Sequence, residues 1–88
     1  MKTHKLKLLI HFCDDVLNGE KCFEIRENDR GYQKGDHVKF TPVYDSGFDR
    51  PKHPIEDKEY EITYVLNGWG LENGYVAFGI REAQKTNA

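Results

Sequence analysis

Five short stretches of alternating or β-prone residues, each closed by a turn rich in glycine, proline, asparagine or aspartate, leave this chain room for only one helix. The first strand is predicted over Lys5–Leu9. A short amphipathic helix follows at about His11–Asn18, with Phe12, Cys13, Val16 and Leu17 on one arc and His11, Asp14, Asp15 and Asn18 on the other. Gly19 stands where a left-handed residue stops a helix. The second strand, about Lys21–Glu27, puts Phe23 and Ile25 on one face and Cys22, Glu24 and Arg26 on the other. After a polar connection over Asn28–Asp36 comes a third strand, His37–Tyr44, in which Pro42 marks an edge or bulge position. Asp45–Lys58 reads as a long loop. Glu59–Leu66 alternates Tyr60, Ile62, Tyr64 and Leu66 against its other residues. Tyr75–Arg81 places Val76, Phe78 and Ile80 together.

The order β-α-β-β-β-β implies an α+β, mostly β fold. One short helix covers an open five-stranded sheet poorly. The economical arrangement is a five-stranded pseudo-barrel with the helix plugging an end. At 88 residues this is one domain, expected over 1–82, with a frayed tail at 83–88. A core this small makes most apolar strand positions structural.

Composition narrows the partners. No apolar run approaches the ~18 residues of a membrane span. Thirteen Lys and Arg against fifteen Asp and Glu give a net charge of −2, so no polybasic segment binds phosphate unaided. Any nucleic-acid contact must come from a local patch. Met1–Lys5 and the short apolar stretch after it do not read as a leader. A reducing, cytoplasmic setting with Cys13 and Cys22 as free thiols is therefore expected. His4, His11, His37 and His53 lack ligand spacing, and the cysteines form no CxxC, so no metal or cofactor is expected. Gly68-Trp69-Gly70 lacks the lysine and helix of a phosphate loop. Trp69 reads as an anchor covering the barrel end in preference to a base-stacking surface.

The densest chemistry lies in Gly19-Glu20-Lys21-Cys22-Phe23-Glu24-Ile25-Arg26. Glu24 and Arg26 project from one strand face, and Lys21 sits at the strand's start. A carboxylate accepts from an exocyclic amine, while Lys and Arg donate to carbonyl or phosphate oxygen. The plain alternative is an ion pair on a solvated sheet face.

Gly19-x-Lys21-x-x-Glu24-x-Arg26 resembles the G-x-K-x-x-E-x-R signature of ASCH domains, PUA-like β-barrels that bind RNA or modified bases. The flanking sequence is similar to a small phage and bacterial branch of unknown function. That similarity runs through Thr3-His4-x-Leu6-Lys7, Phe23-Glu24-Ile25-Arg26-x-Asn28-Asp29-Arg30, Gly35-Asp36, Glu61-Ile62-Thr63-Tyr64-Val65-Leu66 and Gly74-Tyr75-Val76-x-x-Gly79-Ile80. The resemblance implies a monomeric module that binds RNA or a modified nucleotide through Lys21, Glu24 and Arg26. Asn28, Asp29, Arg30 and Lys34 would form the rim, against the alternatives of a turn cap for Asn28-Asp29 and ordinary solvated charges for Arg30 and Lys34. Some relatives hydrolyse N4-acylcytidine with a lysine, a hydroxyl residue three positions later and a later carboxylate. Here Lys21 matches, Glu24 replaces the hydroxyl, and Glu61 or Glu72 would have to serve as the carboxylate. A phage or bacterial accessory factor that contacts proteins through Asp45–Lys58 is a third expectation.

Overall fold

Strand β1 (Thr3–Leu9) runs directly into helix α1 (Ile10–Leu17) in a computed structural model that describes residues 1–46 and 51–84. Leu9 precedes the helix without a side-chain cap. Asn18 and Gly19 end it, Gly19 in the left-handed region at φ 82° with its N–H on Val16 O. This is the stop expected from its type. Cys13 and Val16 form the buried stripe of α1.

The remaining elements are β2 (Phe23–Glu27), β3 (His37–Val43), a 3-10 helix (Pro54–Asp57), β4 (Tyr60–Asn67) and β5 (Tyr75–Glu82). They form one five-stranded sheet in the order β1-β3-β4-β5-β2. β1 and β3 are parallel, with Leu6 opposite Phe40; the other pairs are antiparallel. The mostly β architecture with one short helix is thus the expected one. Ala83 N still donates to Glu59 O, one residue into the expected tail. Residues 85–88 of that tail lie outside the described residues. So do residues 47–50 of the expected loop, whose later part folds as the 3-10 helix. His53 Nδ1 caps that helix by accepting from Ile55 N at 3.0 Å, and Ile55 is fully buried.

β3 pairs with β4 only at His37 and Val38. Pro42 therefore lies where β3 keeps one neighbour. His37 N bonds Lys2 O toward β1, and strand alternation turns the nitrogen of Pro42 to the opposite, unpaired side. The core gathers Leu6, Leu8, Val38, Phe40, Tyr60, Ile62, Val76, Phe78 and Ile80 around the helix stripe. Full burial of each such side chain contributes roughly 1.5–3 kcal/mol. Among the described residues no helix is long and apolar enough to cross a membrane.

Two strands depart from the expected burial. β4 carries a bulge between Ile62 and Tyr64, so Tyr64 faces Gly79 and Val65 faces Phe78. The extra residue reverses the alternation. Tyr64 and Leu66, grouped in sequence with buried Tyr60 and Ile62, are 62% and 36% exposed. The other departure, in β2, builds the site.

Candidate functional site

β2 is turned against its own hydrophobic pattern. Phe23 and Ile25 are 48% and 53% exposed, whereas Glu24 between them is 3% exposed. A structural role for apolar strand positions thus fails at Phe23 and Ile25. Strand register ordinarily settles with the apolar face inward. Here the strand gives up burial of two large apolar side chains to bring a carboxylate inside.

Both oxygens of the carboxylate are engaged. Its Oε1 accepts from Arg26 Nε at 2.9 Å and Nη2 at 2.7 Å. Its Oε2 accepts from Lys21 Nζ, which also donates to Phe23 O at 2.9 Å. A buried carboxylate is tolerated only with partners of this kind. Two cations and one anion leave the cluster with a formal charge of +1.

Arg26 also reaches across the sheet's opening. β1 and β2 are the two ends of the strand order, and no Cα of one lies within 8 Å of a Cα of the other. Backbone pairing cannot span that gap. Arg26 Nη2 donates to Lys7 O at 2.7 Å, and Arg30 Nη1 to Lys5 O at 3.1 Å. The pseudo-barrel is closed along this seam by guanidinium groups on the free carbonyls of β1.

A cavity of about 390 Å³ opens in the seam, lined by Leu8, Phe12, Lys21, Phe23, Glu24 and Arg26 among others. Its size falls in the ~300–1,000 Å³ range of small-ligand sites. Lys21 Nζ lies 5.1 Å from the ring centroids of both Phe12 and Phe23, a cation–π arrangement that fixes the ammonium between two aromatic walls. The cavity therefore combines apolar walls with a cationic floor. Among the described residues, Nη1 of Arg26 meets no acceptor, so the guanidinium keeps donors for a ligand. A larger hollow of about 960 Å³ lies away from the motif, beside His37 and Lys39. Four of its charged or titratable side chains pair with one another, His37 with Glu59 and Lys58 with Glu82.

The other residues singled out in sequence are dispersed. Asn28 Oδ1 accepts from Tyr32 N at 3.2 Å, so Asn28 caps a turn. Arg30 extends the seam and approaches Asp29 at 3.9 Å. Lys34 is exposed and does not line the cavity. Glu61 pairs with Arg81, and Glu72 borders a different hollow beside Asn28, so neither carboxylate lines the Lys21 cavity. Trp69 is 90% exposed at φ 55°, between two glycines of positive φ. The anchor role expected for it is corrected: the turn thrusts the ring into solvent. Both cysteines are free thiols, Cys13 buried and Cys22 exposed. His4 is buried on Asp36 at 2.8 Å, with its ring 4.8 Å from that of Tyr32. Phe12 and the Lys7 carbonyl were invisible as site groups in sequence, since nothing local ties them to Arg26.

A family model described as a domain of unknown function (DUF3850) matches residues 3–80. No curated protein matches the chain.

Proposed function

The chain belongs to the DUF3850 family, and from the geometry of its seam we propose that it binds RNA or a modified nucleotide there. In this reading Lys21 and Arg26 donate to phosphate or base carbonyl oxygen. Glu24 holds both cations in place, its two oxygens being already engaged. A planar base lies against Phe12 and Phe23. Arg30 extends the positive rim along the seam. Asn28 shapes the turn, and Lys34 offers charge beyond the cavity.

One observation carries this reading: a carboxylate 3% exposed, flanked in sequence by two half-exposed apolar side chains. A chain selected for stability alone would turn the strand over, and departures of this kind concentrate at functional sites. The likeness of Gly19-x-Lys21-x-x-Glu24-x-Arg26 to the ASCH signature supports the same conclusion. We place the domain in the cytoplasm, in keeping with its two unbridged thiols.

An NMR chemical-shift titration with a panel of nucleoside monophosphates and short single-stranded RNAs tests it. Perturbations at Lys21–Arg26 and Phe12, weakened by added salt and by Arg26→Lys, are expected. No perturbation along the seam by any panel member overturns the reading.

A further inference from the structure

The outer face of β2, β5 and β4 presents a second apolar surface, which shares Phe23 and Ile25 with the lining of the seam cavity. Strand pairing sets Phe23, Gly79 and Tyr64 in one row and Ile25, Ala77 and Leu66 in the next. The four large side chains are 48%, 62%, 53% and 36% exposed for Phe23, Tyr64, Ile25 and Leu66. From typical side-chain areas, they present on the order of 400 Å² of apolar surface.

The shape of this face is specific. β5 contributes only Ala77 and Gly79 between the bulky rows of its neighbours. A Cβ at Gly79 would lie 2.5 Å from Thr63 Oγ1, so the bulge residue leans over that glycine. The trough is thus open at Ala77, with a ridge of Phe23 and Ile25 on one side and Tyr64 and Leu66 on the other.

Charge selects among occupants. The ionic groups of this face are Glu61 and Arg81, paired at 3.1 Å, and Glu27 opposite Tyr75. A polyanion would find no uncommitted cation in these rows. These groups sum to a formal charge of −1, which disfavours a polyanion, and the apolar rows between them suit an isologous contact. Two such faces would bury about 800 Å² of apolar surface. At the ~65% apolar fraction of homodimer interfaces, that corresponds to about 1,200 Å² in all, the lower bound of stable specific interfaces.

We infer that the outer face of β2, β5 and β4 docks a second copy of this chain, forming a symmetric, concentration-dependent dimer. This inference replaces the monomer expected from sequence. Phe23 and Ile25 also line the seam cavity, so each copy borders its partner's cavity mouth.

Sedimentation equilibrium of the full chain from low micromolar to submillimolar concentration tests this. The apparent mass should rise toward twice that of one chain. Leu66→Glu and Tyr64→Glu, each on an exposed position, should hold the single-chain mass throughout, with native circular dichroism. A wild-type mass that stays at one chain over the whole range overturns the proposal. So does undiminished association by both folded variants.

Discussion

Arg26 bonds the buried Glu24 carboxylate through Nε and Nη2 while the same Nη2 reaches Lys7 O across the seam. One guanidinium therefore neutralises an internal anion and ties the last strand of the sheet to the first. Function and closure share a side chain. Variants at this position must be read with a stability measurement beside any binding measurement.

Arg26→Ala leaves Glu24 with Lys21 alone and frees the Lys7 carbonyl. Breaking a buried pair costs about 3–5 kcal/mol. Arg26 keeps a quarter of its side chain in solvent, at 24% exposure, so a loss of about 2–3 kcal/mol is expected. Arg26→Lys keeps the charge without the fork that meets two acceptors, and should recover about half of that loss. Urea midpoints at constant m-value measure both. Equal midpoints for wild type and Arg26→Ala would show that the seam bonds add nothing.

Gly79 tests the bulge. A Cβ there would meet Thr63 Oγ1 at 2.5 Å, and a threonine has few rotamers into which to retreat. Gly79→Ala should cost about 1–3 kcal/mol through overpacking. In a Thr63→Ala background the same change should cost well under half as much. The coupling from this double-mutant cycle is the quantity to measure. Additive effects would mean that Thr63 does not impose the glycine.

The thiols should react at very different rates. Cys13 is fully buried, with Sγ donating to Leu9 O at 3.5 Å. Burial first, then the charges of Asp14, Glu24 and Glu56, push its thiol from 9.0 up to about 11. Cys22 is exposed. A disulfide reagent near pH 8 should label Cys22 at once and Cys13 only as the fold opens. Cys22→Ser should remove the fast phase. Two fast thiols in folded protein would contradict the helix packing.

Sequence carried the strands, the helix stop and the shared face of Glu24 and Arg26, because each rests on local periodicity. It did not say which face of β2 points inward. Alternation defines two faces, and hydrophobicity then selects the wrong one, since the buried charges are stabilised by Lys21 and by a carbonyl nineteen residues away. The bulge was equally hidden: Thr63 carries no turn signal, and only Gly79 on the neighbouring strand betrays it. Trp69 looked like core by residue type, but its two glycine neighbours hold a turn that places it outside. The parallel β1–β3 pairing that brings His4 to Asp36 joins segments more than thirty residues apart, beyond any local pattern.

That pairing gives the fold a distinct acid sensitivity. Burial of Asp36 tends to raise its pKa. Hydrogen bonds from His4, Lys2 N and Gln33 N, with the His4 charge, outweigh burial and hold the carboxyl below its ordinary 3.8. A folded-state pKa below the unfolded value favours the fold fully above the unfolded value. The contribution is lost as pH falls through the folded-state pKa. Asp36→Asn should therefore destabilise the protein by about 2 kcal/mol at neutral pH, as expected for hydrogen bonds to a charged acceptor. The gap between wild type and variant should close on acidification below about pH 4. Other carboxylates titrate in both proteins, so the difference between their urea midpoints isolates Asp36. A gap unchanged from pH 7 to pH 3 would show that the Asp36 charge does not support the β1–β3 junction.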